Sequence, residues 1–82
     1  LPPETQSEVV ALVAEYERLS SRREELQRER GDLTIRLDRQ ELTANEFRKE
    51  LMVRIQEASQ VAERLKETAA RLTELGYRGV LH

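Results

Sequence analysis

Hydrophobic residues recur every three to four positions along almost the whole chain. Leu12, Leu19, Leu26 and Leu33 are each seven residues apart, and one heptad frame can be followed from residue 9 to residue 75. In such a frame, positions a and d form the seam that a helix presents to another helix. Most of the twenty seam positions are apolar, although only 38% of the whole chain is apolar. The pattern therefore predicts an all-α protein of the coiled-coil type.

The large apolar residues of the seam are the predicted oligomer interface. They are Val9, Leu12, Tyr16, Leu19, Leu26, Leu33, Leu37, Phe47, Leu51, Val61, Leu65, Leu72 and Leu75. Four residues with long polar side chains interrupt the seam, namely Arg23, Arg30, Gln40 and Arg54. Seam arginines extend their charged heads to water along aliphatic stems, and polar seam residues restrict register and chain number. We therefore expect these four residues to determine the specificity of pairing.

Sequence signals at both ends predict one continuous helix over residues 5–75. Thr5 and Glu8 have the spacing of an N-terminal capping box, and Gly76 stands where a left-handed C-cap residue is expected. Residues 1–4 are then a lead-in and residues 76–82 a short tail. Such a helix is about 100 Å long, and two of them side by side make a long parallel coiled coil.

A second arrangement is an antiparallel helical hairpin with a turn near residues 41–46, which itself dimerises. Thr43 and Glu46 have the spacing of another capping box, so a second helix can begin there. With the fold centred near residue 45, Glu29 would pair with Arg64. The hairpin therefore predicts attractive ion pairs between its two helices.

The connecting segment leaves these arrangements open. Residues 42–46 contain neither Gly nor Pro, and each of them tolerates a helix. This favours the continuous helix. A three-helix bundle, interrupted at both Gly31 and Thr43, is a third arrangement that the sequence permits.

Composition narrows the possible functions. The chain has 82 residues, 37% of them charged, no cysteine and a net charge of −2. Acidic and basic residues are mixed along its length, which argues against a nucleic-acid footprint, and no apolar run approaches the about 20 residues of a membrane span. The absence of cysteine fits a reducing compartment, so we expect a cytoplasmic location. Because the sequence begins with Leu1, we expect it to be a segment of a larger protein.

Candidate chemistry is sparse. The single histidine is the last residue, His82, and no cluster of His, Cys or acidic residues has metal-ligand spacing, so we expect no metal or cofactor. Arg23, Arg30 and Arg54 fall on the seam of a short all-helical chain. This pattern resembles the arginine-lined pockets of small helical chorismate mutases, which hold a dicarboxylate. The resemblance implies a small helical enzyme as the alternative to a binding protein.

Apolar residues outside the seam predict a second contact surface. The proposed partner-binding residues are Ile35, Leu42, Met52 and Val53, with Ile55 at a flanking position. A group of off-seam apolar residues on a helix marks an interaction site. The sequence therefore predicts an oligomerisation or scaffolding segment that forms a homodimer and docks a protein partner.

Overall fold

The chain folds into two α-helices that pack against each other. The structure is a computed structural model that describes residues 1–79, and its helices are α1, Pro3–Asp38, and α2, Ala44–Glu74. Together they form a helix pair 57 Å long and about 16 Å across, and residues 1–79 contain no strand. The all-α prediction is confirmed. The last part of the predicted tail, residues 80–82, lies outside the described residues.

The continuous helix predicted over residues 5–75 is interrupted at residues 39–43. Gln40 has a φ of 61°, and its N–H donates to the Leu37 carbonyl at 2.9 Å. The N–H of Glu41 donates to the Arg36 carbonyl at 2.9 Å. These two hydrogen bonds satisfy carbonyls of the last turn in the manner of a left-handed C-cap. This cap ends α1, although its left-handed residue is not a glycine.

Helix α2 begins at the capping box that the sequence predicted for the hairpin arrangement. Thr43 Oγ1 accepts a hydrogen bond from the N–H of Glu46 at 3.1 Å, and Glu46 Oε1 accepts one from the N–H of Thr43 at 2.9 Å. The predicted capping box is therefore present. Donation from the Thr43 backbone to the carboxylate also holds the pKa of Glu46 below its ordinary value.

The outer ends of the two helices differ in how well they match the sequence signals. At the C-terminal end, Gly76 has a φ of 83°, and the N–H of Tyr77 donates to the Leu72 carbonyl at 2.9 Å, so the predicted C-cap is confirmed. At the N-terminal end, α1 begins at Pro3 rather than at residue 5, with no side-chain cap. Proline is tolerated at the first helical position because its missing N–H has no intrahelical partner there.

Most of the core comes from the predicted seam and is covered within one chain. The buried apolar residues are Tyr16, Leu19, Leu26, Leu33, Val61, Leu65 and Leu72. The other predicted interface residues are half-buried, namely Val9, Leu12, Leu37, Phe47, Leu51 and Leu75. The seam therefore faces the other helix of the same chain. A role for these residues between chains stays a prediction.

Ion pairs between the helices define their register. They join Glu8 to Arg71, Glu15 to Arg64, Arg22 to Glu57 and Glu29 to Arg54. Residue numbers rise along α1 as they fall along α2, so the chain turns back on itself. The pairing that we predicted for a hairpin, Glu29 with Arg64, is wrong because the chain turns at residues 39–43 rather than around residue 45.

Candidate protein-interaction surface

One flank of the helix pair consists entirely of charged residues. In the heptad frame it is position g of both helices, and we call it the ion-paired flank. Its residues are Glu8, Glu15, Arg22, Glu29 and Arg36 on α1, and Glu50, Glu57, Arg64 and Arg71 on α2. Charged residues are only 37% of the whole chain, so their concentration at one heptad position is a specific feature.

The ion-paired flank links the helices by forked hydrogen bonds. Arg71 donates through Nε and Nη2 to the two carboxylate oxygens of Glu8, at 2.8 and 3.2 Å. Arg22 contacts Glu57 in the same way, through Nε at 2.5 Å and Nη2 at 2.8 Å. Such two-point contacts fix geometry as well as charge. Because the side chains remain partly exposed, water and salt weaken the attraction, and register is the main consequence.

Near the middle of the pair, the ion pairs join into a small network. Arg22 Nη1 also donates to Glu29 at 2.8 Å and to Glu25 at 2.9 Å, and Glu29 accepts from Arg54 Nε at 3.1 Å. The hydrogen bonds from Arg22 hold the pKa of Glu57 below its ordinary value. The network keeps the Glu57 carboxylate ionised, so this residue lacks the raised pKa of a general acid.

The opposite flank is almost free of charge, and we call it the uncharged flank. It is position e of both helices, on the other side of the seam from position g. Its residues are Gln6, Val13, Ser20, Gln27 and Thr34 on α1, and Ile55, Ala62 and Ala69 on α2. Arg48, at the end nearest the turn, is the charged exception. A helix pair whose flanks differ this sharply presents one side suited to water and one suited to packing.

Some side chains of the uncharged flank remain exposed in the helix pair. Ala69 packs against the core cluster, whereas Ala62 is exposed and Ile55 is 39% exposed. Ser20 Oγ is enclosed yet has no hydrogen-bond partner among the described residues. An enclosed hydroxyl without a partner is unfavourable. The exposed side chains of Ala62 and Ile55, unlike the enclosed Ser20 hydroxyl, leave contact capacity on this side of the molecule.

Three of the four residues predicted to bind a partner are well exposed. Ile35 is 48%, Met52 52% and Val53 59% exposed, whereas Leu42 is half-buried beside the turn. Met52 and Val53 are consecutive, so their side chains point about 100° apart on α2 and do not form one row. Met52 lies one helical turn before Ile55 and borders the uncharged flank. The predicted row is therefore divided, because Ile35 lies on α1, Leu42 lies in the turn, and Met52 and Val53 lie on two sides of α2.

The residues predicted to set pairing specificity have different environments. Arg23 and Arg30 are exposed, whereas Arg54 is half-buried and donates to Glu29 and to Glu50. Gln40 belongs to no helix–helix seam, because it is the left-handed residue that ends α1. The seam role predicted for Gln40 is therefore wrong.

A shallow groove of about 450 Å³ lies near the turn end of the helix pair. It is lined by Gln27, Arg30, Gly31, Thr34, Phe47 and Leu51. Of the three arginines that the sequence suggested for a pocket, Arg30 lines this groove, whereas Arg23 and Arg54 do not. One guanidinium in an open groove lacks the converging groups that hold a dicarboxylate.

Residues 1–79 contain no group of His, Asp or Glu side chains arranged to hold a metal ion. Neither helix in this range is long and apolar enough to cross a membrane. Comparisons with known family models, curated proteins and solved structures find no match to this chain. The candidate site therefore depends on the geometry of the helix pair alone.

Sequence reasoning missed the contrast between the two flanks. The signal was present, because every g position in the two helices is charged and every e position except Arg48 is uncharged. It becomes informative only when the two helices run in opposite directions, as they do when the chain turns back on itself. Position g then faces position g, and position e faces position e, whereas a parallel pair places g against e.

Proposed function

We propose that this chain is a self-association module, an antiparallel helical hairpin of the coiled-coil type that holds copies of its polypeptide together. The observation that supports it best is the contrast between the ion-paired flank and the uncharged flank. A helix pair that works alone benefits from charge on both sides, because both sides then face water. An uncharged side is typical of helices that face a further layer of helices.

The small core also supports self-association. Seven apolar side chains are buried in the described part of the chain, and two of them, Leu26 and Leu72, are less than 2% exposed. Chains of about 70–80 residues rarely gain more than about 3–5 kcal/mol from one core, so further burial between chains stabilises them substantially. Self-association provides this burial without a second kind of protein.

Docking of a different protein is the second part of the proposal. Val53 and Ile35 remain exposed apolar side chains that the uncharged flank does not include. Exposed apolar residues that self-association leaves uncovered are where a partner helix finds contact area. The hairpin would then be a scaffold with one surface for its own copies and separate partner contacts at Ile35 on α1 and at Val53 on α2.

The direct test is the mass of the chain in solution over a wide concentration range. Sedimentation equilibrium from micromolar to millimolar protein should show the 9.6 kDa chain converting to an assembly of two or more copies. Far-UV circular dichroism on the same samples checks that the helices are present. A helical chain that keeps the mass of one copy at every concentration would contradict the proposed function.

A further inference from the structure

We propose that a second copy of this chain packs on the uncharged flank, giving a four-helix assembly in which α1 of each copy lies against α2 of the other. This inference rests on the self-association function and adds the surface, the occupant and the orientation. The outer apolar residues Ile35 and Val53 are then excluded from this interface.

Burying the uncharged flank against another helix costs little desolvation free energy. Of its nine side chains only Arg48 is charged, and it lies at the turn end of α2, where a long side chain can reach solvent. Ser20, Ala62 and Ala69 are small, so another helix can approach closely along the middle of the flank. On α2 the e positions Ile55, Ala62 and Ala69 are apolar. Apolar residues at a, d and e together are the pattern of bundle helices, whereas a coiled-coil seam needs only a and d.

The size of this face suits a stable dimer. The helix pair measures 57 × 16 × 15 Å, so a long face has a projected area of about 900 Å². Specific protein–protein interfaces bury about 800 Å² on each partner. A second copy covering this face therefore forms a standard-sized interface, which the narrow seam of a single helix does not offer.

Charges along the rim favour a second copy in one orientation. Glu17 and Glu24 lie beside the uncharged flank on α1, whereas Arg48 and Lys66 lie on its α2 side, and all four are exposed. A two-fold axis that sets α1 against α2 of the other copy brings the acidic rim of each copy toward the basic rim of the other. The alternative, α1 against α1, brings the acidic rims together. The chain is therefore complementary to itself.

Two matched pairs of substitutions test the surface. Ile55→Glu and Ala62→Glu place a carboxylate on the uncharged flank, whereas Val53→Glu and Gln60→Glu place one on other exposed sides of the same helix. Because Ala62 is exposed in the single helix pair, its substitution leaves the fold of that pair intact. Each change occurs twice in a two-fold dimer, and burying a charge without a partner is unfavourable. We therefore expect both flank variants to raise the dimer dissociation constant about a hundredfold or more, and both controls to change it little.

Sedimentation equilibrium with circular dichroism on all five proteins separates the outcomes. Weakening by Ile55→Glu and Ala62→Glu alone supports the proposed surface. If the wild-type chain dimerises but Val53→Glu or Gln60→Glu weakens the dimer as much as the flank variants, the surface is wrong and the self-association function stands. If the wild-type chain stays monomeric, the function itself fails. For the orientation, Glu17→Lys should weaken the dimer and Glu17→Lys with Lys66→Glu should restore it. No restoration would overturn the pairing of α1 with α2.

Discussion

Replacing Gln40 by glycine should stabilise the protein, and the sign of this effect distinguishes the helix pair from a continuous helix. Gln40 ends α1 with a φ of 61°, a left-handed conformation that is unfavourable for a residue with a Cβ by about 1–2 kcal/mol. The equivalent position at the end of α2 is Gly76, with a φ of 83° and the same pair of backbone hydrogen bonds. Gln40→Gly therefore gives both helices the same favourable cap.

The expected magnitude combines two opposing effects. Glycine removes the left-handed penalty of about 1–2 kcal/mol, but it also loses about 0.5–1 kcal/mol through its greater freedom in the unfolded chain. The net stabilisation is about 0.5–1 kcal/mol, which raises the melting temperature of a domain this small by several degrees. In a continuous helix, residue 40 would be an interior position, and glycine there is unfavourable by about 0.5–1 kcal/mol.

Urea unfolding followed by far-UV circular dichroism measures this difference, with Gln40→Ala as the matched control. Alanine keeps a Cβ and so retains the left-handed penalty, and we expect it to leave the stability of the helix pair unchanged or slightly lower. In a continuous helix alanine is the better helix former, so the order of the two variants reverses. An alanine variant that is more stable than wild type, beside a glycine variant that is less stable, would refute the turn at Gln40.

Three further predictions concern the cap, the core and the ion pairs. Thr43→Ala removes the capping box of α2 and should lower the free energy of unfolding by about 1 kcal/mol; no loss in a urea titration would contradict the role of this cap. Leu26→Ala, at a side chain that is 1% exposed, should be destabilising by about 3 kcal/mol, whereas Val10→Ala, at one that is 70% exposed, should change little; similar losses would contradict the assigned core. Glu46 and Glu57 have pKa values lowered from 4.5 in the folded chain, so their stabilisation is present above pH 4.5 and is lost as the pH falls through the lowered values. Thermal melts at decreasing pH should show this loss, and a melting temperature that stays constant into this range would refute the assigned capping box of Glu46 and ion pair of Glu57.

The sequence predicted helix type and seam well, because both depend on local periodicity. Leu26 and Leu72 are the most deeply buried residues, and both lie on the seam that the heptad frame defined. Gly76 was identified correctly as a terminator, and the cap at Thr43 was part of the hairpin alternative, because each has a recognised side-chain or backbone requirement. Features that depend on three to seven neighbouring residues were therefore accessible without a structure.

The turn was harder to predict, because its decisive residue carries no signal. Glutamine is a good helix former, and its left-handed conformation at residue 40 is maintained by hydrogen bonds and by the packing of the two helices. With a Gly at this position, as at residue 76, the sequence would have favoured the helix pair. Tertiary contacts overrode local propensity here, and the continuous helix was preferred for that reason.

Heptad periodicity is also ambiguous about which helix covers the seam. A seam of a and d residues buries equally well against a second chain or against the same chain turned back, so it does not identify which helix covers it. The flanks resolve this. Glu15 and Arg64 attract each other across the g positions of a chain that turns back, and the e positions Ala62 and Ile55 then lie together on the side without charge. The charge pattern thus carries information on topology that the apolar pattern lacks, and in the proposed assembly it also directs a second copy to the uncharged flank.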